Sequence, residues 1–276
     1  MNNIHIGCQT YSWQMSFEKY SGQLPHILDA VSDAGFHGFE AEVCMLGSYY
    51  QDPDLLALEL EKRKLNFGAI CLASYWNNGT ETEDERKEAE KVIDFLKYFP
   101  NTVLVLCQIP GKDRSNLCER QRNAICCINA IASRASDKGI ISVFHPNSPK
   151  ESIFRTEEDY KFLMDGIDSR YLGFAPDAGH IAKGGMDVMS IFKAYRSLIK
   201  HVHFKDISSA GQWVPMGNGI IDFPTLVSNL HETGYKGWIM IEDESSQAKC
   251  DPDSVTILNR KYIKNNIHNK ELDLYE

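Results

Sequence analysis

The stretch Ile199-Lys200-His201-Val202-His203-Phe204-Lys205-Asp206 decides how the rest of the chain is read. In an extended strand, successive side chains alternate between faces, so His201, His203 and Lys205 share one side and Val202 and Phe204 the other. The apolar side suits packing against helices. Two imidazoles and an ammonium on the opposite side suit a site lined by polar groups.

Three other apolar runs end in a residue able to bind a metal. Ser142-Val143-Phe144-His145 stops at His145, Phe174-Ala175-Pro176-Asp177 at Asp177, and Trp238-Ile239-Met240-Ile241-Glu242 at Glu242. Strands inside a parallel barrel should be apolar throughout. A potential ligand at the same end of four successive strands therefore marks a shared site: His145, Asp177, His203 and Glu242 around one divalent metal. Two imidazoles and two carboxylates suit Mn, Zn, Co or Fe better than Ca. His201 lies deeper, and a structural role competes with a functional one there. His180 follows Asp177 by three residues and is read as a group that touches substrate or supports the site.

Apolar runs alternate with helical patterns along the whole chain, which argues for a parallel sheet with crossover helices. Strands are expected at Ile4–Tyr11, Gly38–Val43, Asn66–Ala73, Thr102–Gln108, Ile140–His145, Tyr171–Asp177, Ile199–Lys205 and Gly237–Glu242. Helices are expected over Gln23–Ala34, Pro53–Lys64 behind Asp52 as cap, Glu81–Tyr98, Asn116–Lys138, Asp187–Ser197 and Pro252–Ile267. Two more open at the capping-box pattern Thr156-Glu157-Glu158-Asp159 and at Asp222-Phe223-Pro224, the latter ending before Gly234. Eight such units across 276 residues match the roughly 250 of one barrel. The expected architecture is thus an α/β fold, a (β/α)8 TIM barrel of one domain spanning residues 1–276. A doubly wound open sheet is the alternative, but the first strand–helix turn carries no GxGxxG.

A net charge of −9 repels phosphate backbones, so no nucleic-acid partner is expected. No stretch reaches the ~20 apolar residues of a membrane span, so no membrane association is expected. Met1-Asn2-Asn3-Ile4-His5 has neither the basic start nor the apolar run of a signal peptide, which makes the cytoplasm the expected location. The eight cysteines form no CxxC pair. Cys8, Cys44, Cys71 and Cys107 lie in or beside strand-like runs and read as buried reduced thiols.

These motifs resemble the sugar isomerase/epimerase superfamily of xylose-isomerase-like barrels. The similarity rests on Asp177-Ala178-Gly179-His180, on His201 to Asp206, on Gly217-Asn218-Gly219-Ile220-Ile221-Asp222-Phe223-Pro224, and on Gly234-Tyr235-Lys236-Gly237-Trp238 ahead of Glu242. It implies a metal, commonly Mn with Zn, Co, Fe or Mg as alternatives, that polarises a ketose carbonyl and hydroxyl. Ketose epimerases of the superfamily carry Glu at the end of strand five, where this chain has His145-Pro146. The departure makes it similar to inosose dehydratase, which eliminates water from a keto-cyclitol. His145-Pro146-Asn147-Ser148-Pro149 with Phe154-Arg155-Thr156 also resembles the catalytic subunit of C-glycoside deglycosidases, which act on a 3-keto-glucosyl unit and usually carry a small second subunit. Either that or a homo-oligomer is the assembly implied.

The function expected is therefore a metal-dependent lyase on a keto-sugar or 3-keto-glycoside, with an isomerase or epimerase as the alternative. Both begin by removing a proton next to a carbonyl, and an imidazole is suited to that step near neutral pH. His145 and His180 are the candidate catalytic groups, and His145 serves equally as base or metal ligand. Tyr11, Trp13, Glu40, Lys205 and Trp213 are candidate substrate contacts, and Tyr11, Trp13, Tyr75, Trp76 and Trp213 are expected as exposed aromatics at the mouth. A DNA-repair endonuclease on the same barrel would need further His and carboxylate ligands on strands one to four and a basic face, and neither is present. A sugar-binding barrel without activity is the remaining class.

Overall fold

The computed structural model describes residues 4–267, so Met1, Asn2 and Asn3 of the N-terminal reading lie outside the described residues. The strands in chain order are β1 (Ile4–Gln9), β2 (Gly38–Glu42), β3 (Asn66–Ser74), β4 (Val103–Gln108), β5 (Ser142–His145), β6 (Leu172–Phe174), β7 (Val202–Phe204), β8 (Asp206–Ile207), β9 (Trp213–Val214) and β10 (Gly237–Ile241). The helices are α1 (Tyr11–Gln14), α2 (Phe17–Tyr20), α3 (Leu24–Asp33), α4 (Val43–Leu46), α5 (Pro53–Arg63), α6 (Glu83–Leu96), α7 (Leu117–Ser136), α8 (Glu157–Gly166), α9 (Ala178–Lys183), α10 (Val188–Ala194), α11 (Phe223–Glu232), α12 (Ser246–Cys250) and α13 (Pro252–Asn266). Among the described residues no helix is long and apolar enough to cross a membrane.

The chain divides into two compact units, one made of the residues up to Ala69 with those from Lys200 onward, the other of Ile70–Ile199. In the first, β1 pairs in parallel with β2 and β10, and β10 with β7. Its interior is filled from β10. A methyl group on Gly38 would lie 2.5 Å from the Trp238 ring, and one on Gly7 or Gly68 would meet the Met240 side chain. Glycines on three strands thus make room for two large side chains on a fourth. In the second unit β5 lies between β4 and β6, all parallel, with Cys107 opposite His145 and Phe144 opposite Phe174.

Caps set the helix starts as the sequence suggested. Asp52, Thr156 and Asp222 each accept a backbone N–H from the first turn behind them. Thr156 and Asp159 form the reciprocal capping box.

Several expectations change. The first strand stops at Gln9, because the Thr10 carbonyl accepts from the Trp13 and Gln14 amides and turns Tyr11 into the start of α1. The sixth strand stops at Phe174, since Pro176 has no N–H to give and Asp177 caps α9, a helix absent from the sequence reading. The seventh begins at Val202, with Ile199 reduced to one isolated bridge to Phe174. Beyond Lys205 the antiparallel pair β8–β9 was not foreseen, nor was α12, capped by Ser245. Among the thiols, Cys44 is exposed on α4, and Cys107, although on β4, is half-buried, so the reading of both as buried thiols is corrected. Trp13 and Trp76 are buried, at 0% and 1% exposure, and neither is an exposed mouth aromatic.

The β8–β9 hairpin hangs on one carboxylate. Buried Asp206 accepts backbone N–H groups from Gly217 and Gly219 at 2.9 Å each, from Ile207 at 2.9 Å and from Ile221 at 3.4 Å. A side chain at Gly219 would collide with the Asp206 carboxylate at 2.1 Å, and Gly217 holds φ of +85°. Asp206→Ala strands these donors and should lower the unfolding free energy by about 2–4 kcal/mol, measured by urea denaturation. A change within about 0.5 kcal/mol would show that water replaces the carboxylate freely.

Candidate active site

In the first unit, three strands aim polar groups at one point. Glu40 on β2 has no exposed surface, and its Oε2 lies 2.7 Å from His201 Nε2 and 3.0 Å from His203 Nε2. Burial pushes the Glu40 carboxyl upward, but the two imidazoles outweigh it and hold the group well below the usual carboxylate range. On its other side, His203 Nδ1 sits 3.4 Å from Glu242 Oε2, just past the end of β10. The second Glu242 oxygen accepts from Lys205 Nζ at 2.9 Å, and Lys205 also donates to Glu244. Lys205 has no exposed surface, and its ammonium lies 4.9 Å from the centre of the Trp213 ring. The hairpin on Asp206 therefore delivers Trp213 to Lys205.

Tyr11 is half-buried at the start of α1. Burial, then the charges of Glu244 and Glu242, push its phenol up, which keeps it a neutral hydrogen-bond donor. Trp13 is turned inward, and its Nε1 donates to Asp253 at 2.7 Å. Glu40, expected on substrate hydroxyls or as a surface carboxylate, is committed to the two histidines instead.

In the second unit, His145 ends β5 and Asp177 caps α9. Asp177 Oδ1 accepts the His180 amide at 2.7 Å, and Oδ2 lies 3.7 Å from His145 Nε2. Capping thus fixes the carboxylate so that one oxygen faces the imidazole. Burial lowers the His145 pKa, but Asp177 and Cys107 overcome it and raise it to about 10. His180 Nδ1 lies 2.7 Å from Ser148 Oγ, and its ring meets that of His145 edge to face, 5.6 Å between centres.

Sequence reasoning missed Cys107 and Asn147, two residues around His145. Cys107 lies opposite it in the strand register, and its thiol is pulled below the usual range by Cys71, then by His145, against the effect of burial. Asn147 donates to Cys107 Sγ at 3.4 Å and to the Gln108 carbonyl at 2.9 Å. Cysteines on strands read as core filler, and only the pairing of β4 with β5 brings one to a histidine.

The structure thus brings Glu40, His201, His203, Lys205, Trp213 and Glu242 together in one unit and His145, Asp177 and His180 together in the other. Each unit offers a nitrogen–oxygen pair, at 3.4 Å and 3.7 Å. Those separations are close to the edge of a coordination shell with bonds of about 2.1 Å. Buried imidazole and carboxylate donors of this kind fit a first-row divalent metal.

The profile of the xylose isomerase-like TIM barrel family matches residues 28–266. The chain is 26% identical to the inosose dehydratase of Lactiplantibacillus plantarum, over 88% of this chain and 89% of that protein. Among solved structures, the IOLI protein with a bound zinc atom superposes with a TM-score of 0.77 at 17% identity, covering 97% of this chain and 99% of that one. The 3-keto-D-glucoside 4-epimerase of E. coli superposes with 0.75 at 15% identity, covering 95% and 100%. At such identities these two likenesses speak for the fold.

Lys205 is the cation that faces both Glu242 and Glu244. Lys205→Met in chelator-treated protein should destabilise the fold by about 3–5 kcal/mol in urea, because it leaves buried carboxylate charge uncompensated. Lys205→Arg should recover most of that. A Met variant within ~1 kcal/mol of wild type would mean the pair behaves as a surface bridge.

Proposed function

Because the chain belongs to the xylose isomerase-like TIM barrel family, whose active sites gather at the C-terminal strand ends, we propose that His145, Asp177, His203 and Glu242 hold one divalent metal and that the protein is a lyase removing water from a keto-cyclitol or related keto-sugar. The observation that carries the reading is His145 beside Asp177 at 3.7 Å, at the end of β5. A donor nitrogen there leaves the strand-five position without the second carboxylate that two-sided proton exchange would use. The similarity to inosose dehydratase supports the same choice.

When bound, the metal supplies Lewis-acid polarisation of the substrate carbonyl. Its identity is Mn in this reading, with Zn the nearest alternative. His180 acts as the proton carrier. The Ser148 hydroxyl can accept from Nδ1–H, which leaves the lone pair on Nε2 as the base. Nε2 takes the proton from the carbon next to the carbonyl, and the electron pair left behind forms the carbon–carbon double bond as the β-hydroxyl departs. The imidazolium returns its proton to that hydroxyl, so water leaves and the histidine is neutral again. Tyr11 and Trp213 line the substrate side, a phenol for hydroxyl groups and an indole for the ring face, while Lys205 is held by Glu242 and Glu244. The alternative is an isomerase or epimerase, which shares the first proton removal and differs in returning the proton to carbon.

Elemental analysis of protein purified without chelator should find about one metal per chain. Asp177→Ala should lose it, and full occupancy in that variant would count against this ligand set. His180→Ala should keep the metal and lose roughly 10²- to 10⁴-fold in turnover. An NMR time course decides the reaction, using Mn-loaded protein with a keto-cyclitol, a 3-keto-glucoside bearing a leaving group, and a free ketose. Dehydration of the first is expected, and release from the second would extend the reading to glycosides. Interconversion of ketose epimers with neither elimination would replace the lyase by an isomerase.

A further inference from the structure

The metal reading leaves Glu40 and His201 without a task, and their geometry supplies one. Both His201 Nε2 and His203 Nε2 converge on the same Glu40 oxygen, at 2.7 Å and 3.0 Å, with all three residues almost wholly buried. The ligand atoms of these residues lie within 4.8 Å of one another, so a cation among them is the competing explanation. Two ligands of one ion with bonds of about 2.1 Å stay roughly 3 Å or more apart. A separation of 2.7 Å is that of a hydrogen bond instead. A carboxylate accepts only, so both imidazoles present Nε2–H to Glu40.

That assignment fixes the opposite side of His203. In neutral His203 with the proton on Nε2, Nδ1 carries the lone pair, and it faces Glu242 Oε2 at 3.4 Å. Two acceptors held face to face repel unless a proton or a cation lies between them. We propose that Glu40, held by His201, is the positioning residue that presents His203 Nδ1 as a metal ligand next to Glu242, and that Glu40 itself touches neither metal nor substrate. This inference rests on the metal reading above. A hydrogen-bonded carboxylate behind a ligating histidine fixes its ring orientation and raises its basicity, and losing such a partner typically weakens metal binding 10- to 100-fold.

The test uses zinc, which is diamagnetic, on the full chain labelled with ¹⁵N-histidine. In the long-range ¹H–¹⁵N spectrum of the wild type, His203 should show a protonated Nε2 and a zinc-shifted Nδ1. The reverse assignment overturns the inference without any variant. Chelator competition should then show one zinc per chain in wild type and in Glu40→Gln, bound 10- to 100-fold more weakly in the variant. Zinc-saturated Glu40→Gln should keep the wild-type KM for the keto-cyclitol. Equal zinc affinity, or a KM raised tenfold, overturns the positioning role and leaves the metal site standing. Two zinc ions in the wild type, one of them lost in Glu40→Gln, would make Glu40 a ligand and overturn it as well. A wild type that binds no zinc, Mn or Co removes the metal reading and this inference together. Should Glu40→Gln fail to fold, His201→Gln offers the same affinity comparison, and the wild-type spectrum stands by itself.

Discussion

A carboxylate with no exposed surface is the constraint on which much of the first unit depends. Glu40 sits on β2 in an environment that disfavours charge, and it stays ionised because two imidazoles meet it. That demand fixes the face of β7 that must point inward, since only His201 and His203 can reach it while Val202 and Phe204 turn to the helices. It also couples β2 to β7 through side chains, although β10 and β1 stand between them in the sheet. A one-residue slip of β7 would put Val202 against the carboxylate and leave the charge without a partner, so register is strongly specified there.

The second unit meets a similar problem with other means. Asp177 has no exposed surface, and one of its oxygens is tied to the first turn of α9. The remaining oxygen is balanced by His145, whose charged form the Cys107 thiol also favours. Each unit therefore carries a buried imidazole–carboxylate pair whose charges restrain one another before any ligand arrives. Such pairs are weak contributors to stability, because desolvation offsets much of their attraction. Their value lies in preorganisation.

The alternation of strands and helices was legible because βα units bury apolar runs between helix stripes, and β1 to β5 and β10 lie within a few residues of expectation. The ends were harder to read. Whether a chain leaves a strand at Gln9 or at Tyr11 depends on which carbonyl the Trp13 amide finds, and local sequence does not encode that. The His, Asp and Glu residues at strand ends stood out because polar groups are rare in such runs. Glu40 also stood out, but its partners lie 161 and 163 residues away, and only the fold reveals them. Cys107 gave no signal, since a cysteine on a strand is ordinarily inert. Trp13 misled for the opposite reason: an indole near a strand end suits a sugar, but its N–H had already found Asp253.

The cradle around Asp206 separates two duties within one loop. Its four backbone donors come from Ile207, Gly217, Gly219 and Ile221, at the base of the hairpin, while the tip runs from Ser208 to Gln212. The tip closes on itself, with the Ser208 amide donating to the Gln212 carbonyl and the Gly211 amide to Ser208. Nothing in the anchor depends on the length or composition of that tip. Insertions or replacements between Ile207 and Trp213 can reshape what the indole and its neighbours present, while the buried carboxylate keeps the stem in place. The loop is built as a socket with an exchangeable fitting, so the surface beside Lys205 can be altered without reopening the fold.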